Sequence, residues 1–184
     1  YSLTDIFFYN AKNYPDKKFL YTKVRNNWVG KSFFDCKMSI LKLAKFLSTK
    51  NIKKNDRVLI ISSNRVEWIE FDIAIMMLGA ITVPCFPTNS ENDNKFIIKD
   101  CKPKLIIIKN KKIYNENFFL FEKIPNSKIL MIENSEKFIC YKKINNNLNK
   151  LKKKVKVNRE DTSTIIYTSG TSGNPKGVVL SHDS

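Results

Sequence analysis

Glycine is scarce in this chain of 184 residues: there are five, and three of them fall within the eleven residues from Tyr167 to Gly177. The other two, Gly30 and Gly79, stand alone. Histidine occurs once, as His182, and the four cysteines (Cys36, Cys85, Cys101 and Cys140) form no C-x-x-C pair. That combination argues against a zinc site, and the cysteines read as small buried apolar residues of a reducing compartment. Arginine is also rare, with four against 29 lysines. The net charge of +16 by itself invites a nucleic-acid reading. Lysine, asparagine and isoleucine dominate the sequence together, however, as in an A/T-rich genome. A nucleic-acid surface carries more arginine for bidentate contacts, so no nucleic-acid partner is expected. The longest apolar stretch, 71–87, is interrupted by Asp72, Gly79, Thr82 and two prolines, too short and broken to span a bilayer. The first residues lack the basic and apolar regions of a signal peptide. The expected setting is cytoplasmic.

What is present argues for a globular α/β fold. Hydrophobic residues make up 42% of the chain, including 13 phenylalanines, enough for one domain with a real core. Leu3, Ile6, Phe7 and Ala11 have helical spacing, which Pro15 ends. Phe19–Tyr21 and Trp28–Val29 predict two short strands around a turn at Asn26–Asn27. Asp35 is placed to cap a helix whose apolar face is Met38, Leu41, Leu43, Ala44 and Leu47. Nearly continuous apolar runs at Arg57–Ser62 and Lys104–Ile108 suit strands buried on both faces, and Ala80–Pro84, Lys128–Ile132 and Thr164–Tyr167 read as further strands. Helices are predicted from Ser63–Asn64 to Gly79 and over Ser90–Asp100. Strands alternating with helices imply a largely parallel sheet flanked by helices. The stretch 142–156, rich in lysine and asparagine, reads as a polar connection or surface helix. A membrane-surface role for its lysines is the lesser reading, because Ile144, Leu148, Leu151 and Val155 make only a thin apolar face. Asp56, Glu67 and Glu70 read as surface or helix-end charges, and His182 as an exposed or locally bonded side chain.

The segment Tyr167-Thr168-Ser169-Gly170-Thr171-Ser172-Gly173-Asn174-Pro175-Lys176-Gly177 carries the chemistry. Glycines let a ligand approach the main chain, while hydroxyls, amides and a lysine supply donors for an oxyanion. The spacing excludes a Walker loop, since Pro175 stands where its second glycine belongs and Gly177 follows Lys176. It also excludes the G-x-G-x-x-G dinucleotide fingerprint. The β-branched run after Gly177 predicts strand–loop–strand rather than strand–loop–helix.

This segment resembles the phosphate-binding signature Y-T-S-G-T-T-G-x-P-K-G of the adenylate-forming (AMP-binding) enzymes, with Ser172 for the second threonine. Those enzymes include acyl-CoA synthetases, nonribosomal adenylation domains and luciferases. Tyr14-Pro15-Asp16-Lys17, Asn55-Asp56-Arg57-Val58, Asn64-Arg65-Val66-Glu67-Trp68 and Gly79-Ala80-Ile81-Thr82-Val83-Pro84 are similar to further segments of that family. The run 64–88 is most similar to long-chain fatty acyl-CoA synthetases. The resemblance implies that residues 1–184 form the N-terminal part of the AMP-binding domain, with the phosphate loop at 167–177 and the C-terminal domain absent.

The resemblance also implies the chemistry: a fatty acid attacks ATP to give acyl-adenylate and pyrophosphate, and coenzyme A then displaces AMP. The amides and hydroxyls of Thr168, Ser169, Thr171 and Ser172 would hold the β- and γ-phosphates, with Thr168 near Mg2+. Gly170 and Gly173 would allow close approach, and Lys176 would add positive charge. The later acidic Mg2+ ligand, ribose-binding aspartate, adenine pocket and mobile-domain lysine have no counterpart here, so this polypeptide alone is expected to be inactive, with an uncovered sheet edge. Peripheral association with the inner face of a membrane is a secondary expectation. Two other readings stay open: adenylation of an amino acid or aryl acid, and a non-catalytic remnant.

Overall fold

The computed structural model describes residues 1–147, 149, 151, 155–168 and 175–184. Helix α1 (Leu3–Asn13) leads into a hairpin of β1 (Lys18–Val24) and β2 (Asn27–Ser32), and α2 (Phe33–Thr49) follows at once. Then come β3 (Arg57–Ile61), α3 (Val66–Met77), β4 (Ile81–Cys85), α4 (Glu91–Cys101) and β5 (Leu105–Ile108). Two short helices, α5 (Lys111–Glu116) and α6 (Phe118–Phe121), and a 3-10 turn precede β6 (Ile129–Met131). The chain continues through β7 (Ile139–Cys140), α7 (Tyr141–Asn147), β8 (Thr162–Thr168) and β9 (Lys176–Ser181).

Seven strands form the main sheet in the order β7-β6-β5-β3-β4-β8-β9. Every neighbouring pair is parallel except β8 and β9. The apolar runs explain this arrangement. Along β3, Val58 and Ile60 enter one core, while Leu59 and Ile61 enter another. Along β5, Leu105 and Ile107 face the first core, and Ile106 and Ile108 the second. Alternation with no polar side means that both faces must be covered by helices. On the first face lie α1, α2 and α3, through Phe7, Leu43, Leu47, Phe71 and Ile75. On the second lie α4, α5 and α6, through Ile97, Ile113 and Phe121.

The helix starts are set by short side chains. The Ser2 hydroxyl accepts from the Asp5 amide at 3.2 Å, and the Asp5 carboxylate accepts from the Ser2 amide at 3.1 Å, closing a capping box on α1. Ser32, not Asp35, caps α2: its hydroxyl accepts from the Asp35 amide at 3.1 Å. Ser90 does the same for α4. Gly79, with φ of +69°, lies just beyond α3 in the left-handed conformation.

Several expectations need correction. The buried stripe of α1 is Thr4, Phe7 and Ala11, while Leu3 and Ile6 face solvent. The hairpin turn falls at Arg25–Asn26, leaving Asn27 in β2. Within 142–156, Ile144 is buried in the first core, and the Leu151 amide donates to the Leu41 carbonyl at 3.0 Å. That segment is therefore tied to α2 at defined points. Leu148 lies outside the described residues. All four cysteines are buried and unpaired, as their composition suggested. Among the described residues the sheet's edge strands are β7 and β9, and Val178 and Val179 of β9 are exposed.

Glu70 departs furthest from its expected place. It is fully buried, and its carboxylate accepts from Lys31 Nζ and from the Tyr141 hydroxyl, each at 2.5 Å. Lys31 also donates to the Ser39 hydroxyl at 2.9 Å. Burial pushes the Glu70 carboxyl up, and the Lys31 ammonium opposes that rise. The knot joins β2, α2, α3 and α7 under the first core. Removing one partner leaves an uncompensated buried charge.

Asp72, on the same helix, has no cationic partner among the described residues. Burial pushes its carboxyl up to about 6, offset in part by Thr82. The ordinary value is 3.8, so between those values the folded chain binds the proton more tightly than the unfolded chain. Stability from this group therefore falls as pH rises through that window and stays reduced above it. Asp72→Asn is expected to leave stability unchanged near pH 4 and to raise it by about 1–3 kcal/mol at pH 7.5. Urea unfolding at both pH values checks this; equal effects at the two would contradict it.

Candidate active site

The connections around β3 define where a ligand can sit. From β3 the chain crosses through α3 on the first face to reach β4; from β5 it leaves through α5 and α6 on the second face. β3 and β5 are neighbours, so the loops after them diverge and open a crevice at the carboxyl ends of the strands. A cavity of about 970 Å³ occupies that place. Ser62, Ser63 and Asn64 line it after β3, Lys109 and Asn110 after β5, and Phe86 after β4. Trp68 and Ile113 add apolar wall, and Ile166 of β8 closes one side.

A polar clamp frames the crevice. Arg65, the residue before α3, donates to Glu67 at 2.8 Å and to Glu133, just beyond β6, at 2.9 Å. Glu133 also accepts from the Asn110 amide group at 3.2 Å. Hydrogen bonding to Glu67 holds the Arg65 guanidinium above its ordinary value. The Asn110 side-chain carbonyl caps α5 by accepting from the Ile113 amide. Three loops are thus tied across the mouth. The Asn64–Trp68 motif pointed to this region; Lys109, Asn110 and Glu133 carried no sequence signal, because only the strand order brings them together.

The glycine-rich segment joins β8 to β9 on the same sheet. Their antiparallel ladder runs from Thr162–Ser181 to Thr168–Lys176. The expected strand–loop–strand arrangement is therefore present. Thr168 and Lys176 form the last pair before the loop, and both are exposed. Directly opposite residues in a ladder share one face, so their side chains flank the loop's base together. Ser169, Gly170, Thr171, Ser172 and Gly173 lie outside the described residues.

Gly177 has a packing reason. It pairs with Tyr167, and a Cβ there would meet the Tyr167 ring at 3.2 Å and Ile165 Cγ2 at 3.0 Å. The tyrosine ring therefore lies across the glycine. Its hydroxyl donates to Asp100 of α4 at 2.5 Å. Burial, then Asp100, pushes the phenol above its ordinary value.

His182 differs from expectation. It is buried, and neither ring nitrogen has a hydrogen-bond partner among the described residues. Its backbone amide donates to the Asp161 carbonyl at 3.1 Å. Burial pushes its imidazole down, with Asp161 and Asp5 opposing. Asp56 is a surface charge as expected, paired with Lys104 at 2.8 Å. Among the described residues, no three His, Cys, Asp or Glu side chains stand together as a metal site.

A doubly wound sheet with a crevice at its switch point defines an α/β domain of the kind that binds ligands at the carboxyl ends of its strands. The family model of the AMP-binding enzyme matches residues 7–184, and the chain belongs to that family. It is 24% identical over 195 residues to the long-chain-fatty-acid–CoA ligase ACSBG1 of Rattus norvegicus, covering 100% of this chain and 27% of that protein. It is also 24% identical over 204 residues to the chloroplastic long-chain-fatty-acid–[acyl-carrier-protein] ligase AEE15 of Arabidopsis thaliana, covering 98% and 28%. The chain thus spans about a quarter of the length of these relatives. Among solved structures, the anthranilate CoA ligase AuaEII in complex with anthranoyl-AMP matches with a TM-score of 0.81 at 22% identity, over 99% of this chain and 35% of that one. A fatty acyl-adenylate ligase from L. pneumophila in complex with acyl adenylate and pyrophosphate matches at 0.71 and 19%, over 98% and 30%. These likenesses show the shared fold.

Glycine in a strand is ordinarily a weakness, and alanine there gains about 0.5–1 kcal/mol. At Gly177 the crowding reverses the sign: Gly177→Ala is expected to lower stability by about 1 kcal/mol. Denaturant titration of the two proteins decides, and a gain in stability would contradict the close approach of the Tyr167 ring.

Proposed function

We propose that the protein to which this segment belongs activates a fatty acid with ATP and passes the acyl group to coenzyme A. The observation that carries the reading is the sequence motif 167–177 between the paired strands β8 and β9, with Ile166 of β8 in the crevice wall, in a chain of the AMP-binding family. The carboxylate oxygen attacks the α-phosphorus of ATP, the bond to the β-phosphate breaks, and pyrophosphate leaves. The thiolate sulfur of coenzyme A then attacks the acyl carbonyl, and AMP departs.

In the first step charge grows on the leaving pyrophosphate. Preorganised donors aimed at that charge lower the barrier. Thr168, Ser169, Thr171 and Ser172 supply hydroxyls and amides for the β- and γ-phosphates, and Gly170 and Gly173 let the main chain come close. Lys176 stands opposite Thr168 and adds a positive charge at the loop's base. A hydroxyl oxygen suits a hard cation, so Thr168 fits one ligand position of Mg2+, which would neutralise phosphate charge. The crevice has Ile166, two residues before Thr168, in its wall, so a substrate held there lies on the loop's side of the sheet. The names of the relatives favour a long-chain acid and leave a carrier protein as the alternative acceptor to coenzyme A. Membrane association of such an enzyme would be peripheral; among the described residues no helix is long and apolar enough to cross a membrane.

Acyl-adenylate formation measured by mass spectrometry on the full natural chain, with saturated fatty acids set against aryl and amino acids, tests the substrate class. Turnover of the fatty acids alone is expected. Preference for an aryl or amino acid would replace that class with the second adenylation reading. The isolated 184 residues are expected to form no acyl-adenylate, and detection of any would contradict the division of labour proposed.

A further inference from the structure

We infer that Asp100 is a positioning residue for the phosphate loop, acting through the hydroxyl of Tyr167. This role rests on the adenylation reading above.

The strand that leads into the loop lies beside β4, and the Thr164 hydroxyl donates to the Thr82 carbonyl at 2.9 Å. β8 follows β4 in register at Thr82–Thr164 alone among the described residues. From Ile165 to Thr168 its ladder partner there is β9, from Val179 to Lys176. β9 is one edge of the sheet, with Val178 and Val179 exposed. Beyond Thr164, β8 makes no further register pair with β4 among the described residues, so side chains share in holding that end of the hairpin. Rigid placement of the donors is what makes them effective toward a developing charge.

Side chains of β8 add to this hold. Ile165 and Tyr167 pack against the second core. The directional contact is the Tyr167 hydroxyl donating to Asp100 Oδ2 at 2.5 Å. A bond to an ionised carboxylate is short and roughly twice as strong as a neutral one. Asp100 itself is held. It lies one residue before the end of α4, and Arg57 of β3 grips that end, with Nε donating to the Cys101 carbonyl at 2.8 Å. A continuous path runs from β3 through Arg57, the end of α4 and Asp100 to Tyr167, the residue before Thr168. Gly177 completes it, since a side chain there would push the tyrosine ring off the line to Asp100. The tie is made by a residue 67 positions before Tyr167, so nothing in the motif itself discloses it.

Steady-state kinetics on the full natural chain tests the inference, with ATP and fatty acid varied separately and thermal melts run in parallel. Asp100→Ala and Tyr167→Phe are each expected to raise KM for ATP about tenfold, as loss of one charge-assisted bond would. KM for the acid and the melting temperature should stay near those of the parent. Asp100→Asn keeps an acceptor oxygen and is expected to recover most of the loss. The double variant should be no worse than either single one. An active parent whose variants keep the parental KM for ATP would overturn the positioning role and leave the adenylation reading standing. A KM effect that merely tracks a lower melting temperature would overturn the positioning role in the same way. A parent that forms no acyl-adenylate with any acid would overturn both.

Discussion

The double-sided burial of β3, β4 and β5 is the constraint on which the rest depends. These strands have almost no polar face, so helices must cover both sides of the sheet, and consecutive crossovers must part company somewhere. They part between β3 and β5, and the crevice is the geometric result. No residue of the crevice had to be specialised for the crevice to exist. What is specialised is its rim, where Arg65, Glu67, Glu133 and Asn110 tie three loops together.

The hairpin that carries the phosphate motif is a different kind of construction. It is an antiparallel addition to a parallel sheet and, among the described residues, meets β4 in register at a single position. A loop attached this way can be shaped for a ligand without disturbing the core. The glycines divide accordingly. On the adenylation reading Gly170 and Gly173 belong to the loop that approaches phosphate, whereas Gly177 makes room for the aromatic ring that steadies it.

Much of this was legible in the sequence. Strands buried on both faces leave unbroken apolar runs, and such runs marked β3 and β5 without any knowledge of their order; β4, β6 and β8 were marked as strands by shorter apolar runs, and β8 is only half-buried. Strand–loop–strand at the motif was legible because Val178, Val179 and Leu180 suit a strand better than a helix. The failures share one cause, dependence on partners far along the chain. Glu70 looked like a surface charge because its partners Lys31 and Tyr141 lie 39 and 71 residues away. Leu3 and Ile6 fitted a helical stripe as well as Thr4, Phe7 and Ala11 did, and only packing on α2 and α3 chose between them. His182 carried no sign of burial. Ser32 took the cap from Asp35 because the chain leaves β2 in extended conformation at that residue, which is where a cap must stand.

The central claim is that this loop serves attack on the α-phosphorus of ATP rather than transfer of a terminal phosphate. A carboxylic acid labelled with 18O in its carboxyl group tests that claim directly on the full natural chain. Attack at the α-phosphorus predicts that turnover releases AMP carrying one labelled oxygen, together with unlabelled pyrophosphate. Release of ADP, or of labelled inorganic phosphate with unlabelled AMP, would contradict it.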